Sequence, residues 1–79
     1  MDMFVSEKVI NEIANDVLVM FEVGDWNSRT PVRKMIPGVL DELADRGLPR
    51  RRSLAGLIAK VAVATWAETV LATKMKLEA

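Results

Sequence analysis

The chain has 79 residues, no cysteine and no histidine, and its eleven basic residues balance its eleven acidic ones. This length supports one small domain, 1–79, and the missing cysteines exclude disulfides and thiolate sites. The first residues, MDMFVSEK, lack the basic start and long apolar run of a secretory signal, so we expect a cytoplasmic protein.

The first predicted helix covers residues 6–23. Ser6 is a favourable N-cap, and Glu7 lies beside the positive end of the helix dipole. Apolar residues then recur at helical spacing, namely Ile10, Ile13, Val17, Met20 and Phe21. The run VLVMF is strand-like in composition, but the polar spacing before it favours a helix. Gly24 suits a left-handed position after the helix, where residues 24–29 form the clearest predicted turn.

The second predicted helix covers residues 30–46 and is kinked at Pro37. Thr30 and Pro31 open it with a capping hydroxyl and a proline at the first helical position. Because Pro37 lacks an amide donor, the segment either kinks there or divides into a short turn and a separate helix. We favour one kinked helix, because the apolar spacing continues across Pro37. Gly47 ends it.

The third predicted helix begins at residue 50 or 53 and ends at residue 76. A start before the three arginines would place them against the helix dipole, whereas Ser53 as the N-cap leaves them outside. Apolar residues surround nearly the whole helix, and Lys60 and Glu68 share one side. A helix of this kind is either buried in protein or spans a membrane.

We expect the third helix to be buried against protein and not against lipid. Lys60 and Glu68 would each cost roughly 2.5–3.5 kcal/mol near a bilayer centre, which argues against a membrane as the partner. Two amphipathic helices cover only part of the third, so we predict an all-α, three-helix domain that forms an intertwined or helix-packed homodimer. Lys60 and Glu68 would then pair across an antiparallel axis or reach solvent. The predicted interface residues are Leu54, Leu57, Ile58, Val61, Ala62, Trp66 and Val70.

Residues able to carry chemistry are few. Histidine, cysteine and tyrosine are all missing, which removes the usual general base, the thiol nucleophile and the commonest transition-metal ligands. Glu12 and Asp16 lie one helical turn apart, but a carboxylate pair without further oxygen ligands is better interpreted as a solvated acidic face. No phosphate-binding loop, dinucleotide motif or calcium-binding loop occurs. We therefore predict no catalytic residue, no cofactor and no metal site, so the protein is not expected to be an enzyme.

A basic cluster and one tryptophan are candidate contacts for a partner or for phosphates. The basic cluster consists of Arg46, Arg50, Arg51 and Arg52. Residues 1–25 contain six acidic residues and one basic residue, whereas residues 26–79 contain ten basic and five acidic ones. The cluster therefore either binds an external anion or pairs within the chain. Trp26, in the polar turn, either covers an open end of the core or is an exposed anchor for a partner.

The function favoured by these features is that of a small non-enzymatic regulatory or adaptor protein that acts through protein–protein contacts as a homo-oligomer. Its expected partners are a second copy and an unidentified protein. The alternative is a dimeric nucleic-acid-binding regulator that uses the basic cluster at 46–52. It ranks second, because a recognition helix must expose polar side chains to the groove and the third helix is too apolar. A membrane-associated small subunit ranks third.

Overall fold

The computed structural model describes residues 5–78, and every regular element in that range is an α-helix. The described helices are α1 (Glu7–Asp16), α2 (Val19–Glu22), α3 (Val32–Asp45) and α4 (Arg52–Glu78). Together, α1 and α2 occupy the place of the first predicted helix. Within the described range the chain thus forms the three expected helical segments, and the all-α prediction is confirmed.

The first helical segment is divided, whereas the prediction had one continuous helix over residues 6–23. At the division the Leu18 amide donates to the Asn15 carbonyl at 3.2 Å, three residues back instead of four. Such i to i−3 bonding tightens the turn, and the β-branched Val17 at this point disfavours a regular helix. Beyond the division, Phe21 is 6% exposed and lies in the core.

The capping residues behave partly as predicted. Ser6 caps α1, since its Oγ accepts a hydrogen bond from the Val9 amide at 3.3 Å. The predicted role of Thr30 as a helix cap is wrong, because its Oγ1 accepts from the Asn27 amide at 2.9 Å. Pro31, with φ −70° and ψ 147°, occupies the N-cap position of α3 itself. Thr30 thus stabilises the turn, and α3 begins two residues later than predicted.

The α3 helix passes through Pro37 without ending, so the prediction of a single element is confirmed over the described helix. Immediately after it, the missing side chain of Gly38 lets the Trp26 indole approach closely. A Cβ atom at Gly38 would lie 3.2 Å from Trp26 Cζ2. The fully buried residues of α3 are Met35, Val39 and Leu43.

Trp26 belongs to the core, although it lies in a polar turn. Its side chain is only 6% exposed. The indole meets the Phe21 ring edge to face, with centroids 5.6 Å apart and an interplanar angle of 80°. Its amide donates to the Met20 carbonyl at 3.0 Å, which ties the turn to the end of the preceding helix. Trp26 therefore covers the core, and the exposed-anchor interpretation does not describe it.

The turn after α3 is a Schellman motif centred on Gly47. Gly47 has φ +70°, its amide donates to the Ala44 carbonyl at 3.0 Å, and the Leu48 amide donates to the Leu43 carbonyl at 2.9 Å. A residue with a Cβ atom is strained in this left-handed region, so glycine is the residue that the turn requires. The predicted helix end at Gly47 is confirmed.

Replacing Gly47 with alanine is expected to lower the free energy of unfolding by about 1 kcal/mol, because alanine disfavours positive φ. Gly56 provides a matched control, since it lies within α4 and an added Cβ atom would meet Ile36 Cδ1 at an ordinary 3.9 Å. Gly56→Ala should therefore raise the free energy of unfolding by up to about 1 kcal/mol. Urea denaturation followed by circular dichroism measures both, and equal effects of the two variants would contradict the assignment.

The α4 helix begins at Arg52, between the two starts that the sequence allowed. The Arg51 carbonyl accepts the first helical bond, from the Ala55 amide at 2.9 Å. The alternative in which Ser53 is the N-cap is therefore wrong, and Arg52 lies in the first turn. Arg50 and Arg51 precede the helix, which avoids part of the repulsion between cations and the dipole.

One hydrophobic core joins the helices, and the N-terminal half of α4 lies at its centre. Both α1 and α3 pack against α4. The buried residues form a single apolar cluster: Ile13, Ala14, Val17, Phe21, Trp26, Met35, Val39, Leu43, Ala55, Ile58, Ala59 and Ala62. Three of the four α4 members are alanines, which lets the flanking helices approach closely.

Candidate interaction surface

The C-terminal half of α4 extends past the helices that cover its N-terminal half. The fully buried residues of α4, which are Ala55, Ile58, Ala59 and Ala62, all precede residue 63. Beyond that point none of the α4 side chains that the structure describes is buried. The 27 residues of α4 make a helix about 40 Å long. The molecule accordingly extends 51 Å along its long axis and 23 and 17 Å across it.

The projecting segment, residues 63–77, exposes large apolar side chains. Their exposed fractions are 36% for Val63, 49% for Val70, 57% for Leu71, 62% for Met75 and 84% for Leu77. Single exposed apolar residues are common on soluble proteins, but five large ones within one helical segment indicate a contact surface. The segment is therefore the candidate interaction surface.

An apolar crevice of about 420 Å³ runs beside the projecting segment, between α4 and the loop at residues 27–30. Its walls include Phe21, Trp66 and Val70. The Phe21 and Trp66 rings stack with centroids 5.2 Å apart and an interplanar angle of 14°, so the crevice is anchored to the core. A second hollow of about 400 Å³ lies along α4 and shares Trp66 and Val70 with the first.

The structure sorts the seven predicted interface residues into three groups by burial. Ile58 and Ala62 are fully buried in the core of the chain itself, so their assignment to an oligomer interface is wrong. Leu57 and Val70 are 48% and 49% exposed and remain available. The others are partly buried against the core: Leu54, Val61 and Trp66. The apolar pattern around α4 did not show which side the flanking helices cover.

Four exposed apolar residues were missing from the predicted interface, namely Val63, Leu71, Met75 and Leu77. The signal that would have found them is helix length. The α4 helix has 27 residues, whereas α1 has 10 and α3 has 14. Neither flanking helix is long enough to cover α4 from end to end. The C-terminal half of α4 is therefore left uncovered, in addition to the side of its N-terminal half that faces away from the core.

The threonines of the projecting segment satisfy their hydroxyl groups within α4. Thr65, Thr69 and Thr73 each donate to the carbonyl four residues earlier, at 2.9, 2.9 and 3.0 Å. Such bonds leave the outer surface of the helix less polar than its composition suggests. Lys60 and Glu68 are exposed, and they are the charged residues nearest the middle of α4.

Arg46 and Arg50 of the basic cluster lie beside carboxylates of the same chain. Arg46 forms ion pairs with Asp16 through Nη2 and with Glu42 through Nε, the latter at 3.0 Å. Arg50 Nη2 lies 3.9 Å from Asp41 Oδ1. Ion pairs this exposed contribute about 0–1 kcal/mol each. The carboxylates also lower the positive electrostatic potential around the cluster.

The remaining charged candidates line neither the crevice nor the second hollow. Arg51 and Arg52 are exposed at the start of α4. Asp16 forms an ion pair with Arg46, so the predicted acidic pair of Glu12 and Asp16 is not simply a solvated face. Among the described residues, no group of three or more aspartate or glutamate side chains is arranged to hold a metal ion.

By length and composition alone, α4 could cross a membrane. Its N-terminal half, however, supplies four fully buried residues to the core. The projecting segment that remains is about 22 Å long, shorter than the roughly 30 Å of hydrocarbon in a bilayer. A spanning α4 would therefore require the core to come apart.

Comparison with protein-family models, with curated proteins and with solved structures gives no match for this chain.

Proposed function

We propose that the protein is a small non-enzymatic regulatory or adaptor protein of the cytoplasm that acts as a homodimer through protein–protein contacts. The observation that carries this proposal is the projecting segment of α4, which exposes five large apolar side chains on one helix. Burial of such side chains is the main favourable term in protein association. A second copy of the chain brings an identical helix and is the simplest source of cover for part of this set. Val63 and Val70 line the apolar crevice and are left for another partner.

The apolar crevice supports the adaptor part of the proposal. It lies on the side of α4 that faces the loop at residues 27–30, and its Phe21–Trp66 stack gives it a fixed floor. Grooves of this kind accept the apolar face of a partner helix or peptide. A dimer that uses another side of α4 leaves this crevice accessible to a second protein.

Nucleic-acid binding ranks below protein contact. The basic cluster at 46–52 lies beside Asp16, Asp41 and Glu42, which offset part of its charge. A phosphate-binding surface would need an excess of positive charge over a wider area. Fluorescence anisotropy with duplex DNA at low salt separates the two functions. Tight binding that weakens steeply with salt, and is lost when Arg50, Arg51 and Arg52 become alanine, would favour the alternative.

Light scattering coupled to size-exclusion chromatography tests the self-association. The wild-type chain is expected to have twice the mass of one chain at micromolar concentration. Replacing Leu71 and Met75 with serine removes two exposed apolar contacts, so the dissociation constant should rise at least about tenfold. The control is Ala72→Ser, an exposed position between them, which should leave the constant unchanged. A wild-type monomer at micromolar concentration would contradict the proposal.

A further inference from the structure

The side of α4 that faces away from the core, here called the outer face, carries residues arranged symmetrically about the middle of the helix. They are Leu57, Lys60, Ala64, Glu68 and Leu71, and all five are exposed. At about 100° per residue, they fall within an arc of about 80°. The centre of that arc lies about 170° from the mean direction of the four buried α4 residues. The flanking helices therefore leave this face open.

We propose that two copies of the chain pair along the outer face with their α4 helices antiparallel and the two-fold axis at Ala64. This inference rests on the proposed self-association and specifies its register. Each residue then faces the one equally distant from Ala64 in the other copy. Leu57 packs against the partner's Leu71, Lys60 forms an ion pair with the partner's Glu68, and symmetry provides each contact twice.

Charge selects the antiparallel arrangement over the parallel one. In a parallel dimer in register, Lys60 would face the same lysine of its partner and Glu68 the same glutamate, so like charges would repel. The antiparallel arrangement replaces both repulsions with attractions. Antiparallel helix dipoles also place each α4 N-terminus beside the C-terminus of its partner.

Helix geometry agrees with an axis at Ala64. This residue lies within one position of the midpoint of α4, which spans Arg52–Glu78, so two helices paired there overlap over nearly their whole length. Its small side chain lets the two backbones approach at the crossing point. The cores formed with α1 and α3 then lie on the two outer sides of the helix pair and do not obstruct it.

The crevice side of α4 is a poorer surface for a second copy. The crevice and the second hollow are both lined by Lys74, and neither is lined by an aspartate or glutamate. Two copies meeting there would bring lysines together with no carboxylate to offset them. The outer face, in contrast, provides equal numbers of both charges. The second copy therefore occupies the outer face, and the crevice stays open except along the edge where Leu71 belongs to both surfaces.

Charge reversal at the outer face tests the register by sedimentation equilibrium. Lys60→Glu and Glu68→Lys should each raise the dimer dissociation constant at least tenfold, because each creates two repulsive pairs per dimer. An equimolar mixture of the two variants should form heterodimers near the wild-type constant, since all their pairs are again attractive. Circular dichroism should show unchanged helix content. If the wild type is a dimer and both variants and their mixture have the same dimer dissociation constant as the wild type, the register is wrong but the self-association stands. If the wild type is a monomer, both are wrong.

Disulfide trapping gives a second readout, since the chain has no cysteine of its own. Ala64→Cys should form a linked dimer on mild oxidation, because the two positions meet at the axis. Met75→Cys is the control: in the antiparallel register its two copies are about 33 Å apart along the helices and should not link. Linking at Met75, or no linking at Ala64, would overturn the proposed axis. An assembly larger than a dimer would overturn it too.

Discussion

Replacing Trp26 with alanine is expected to lower the free energy of unfolding by about 3–5 kcal/mol. The side chain is 6% exposed, meets Phe21 edge to face and fills the space above Gly38. Native domains are stable by only about 5–15 kcal/mol, so the loss would remove a large part of the stability of the fold. Urea denaturation followed by circular dichroism measures the change, because this method does not depend on tryptophan fluorescence.

Two controls separate the loss of core packing from a general disturbance of the turn. Trp26→Phe keeps an aromatic ring against Phe21 and should lose less than the alanine variant. Asp25→Ala changes the exposed neighbour and should alter the free energy of unfolding by less than about 0.5 kcal/mol. A loss below about 1 kcal/mol for Trp26→Ala would show that Trp26 is not the cover of the core.

The helices were predictable because local chemistry specifies them. Ser6 and Gly47 marked their ends as capping chemistry requires, and the apolar spacing carried α3 correctly across Pro37. Local chemistry was insufficient where tertiary contacts compete with it. Thr30 is a good capping residue, but the turn before α3 uses its hydroxyl first. The first helical segment divides near Val17, and beyond the division Phe21 is buried against Trp26. Helical periodicity in the sequence does not show this contact between two aromatic rings.

The candidate surface was predictable in kind but not in position. Composition alone showed that α4 carries more apolar surface than the other helices can cover. It could not show which residues α1 and α3 cover. Because α4 is apolar on nearly every side, its sequence has no polar stripe that would distinguish the exposed side from the buried one. Ile58 and Leu57 illustrate this point: both are large and aliphatic, and they are neighbours in sequence. Ile58 is fully buried, while Leu57 is 48% exposed.

Alanine substitutions at Ile58 and Leu57 are expected to affect two different equilibria. Ile58→Ala leaves a cavity between α4 and the helices packed on it, and should lower the free energy of unfolding by about 2–5 kcal/mol. Leu57→Ala truncates a side chain that is 48% exposed and lies outside the core cluster, so it should change the stability of the single chain by less than about 1 kcal/mol. Its effect should fall on dimerisation, since Leu57 packs against the partner's Leu71 in the proposed register.

Dilution separates the two effects. Folding and association are coupled in a dimer, so unfolding has to be followed by circular dichroism at several protein concentrations. The difference between Ile58→Ala and the wild type should persist at every concentration, because the core belongs to each copy. The difference between Leu57→Ala and the wild type should disappear once dilution has made both monomeric. Equal and concentration-independent losses for the two variants would mean that both faces of α4 serve the same core. In that case the outer face would not be a dimer interface.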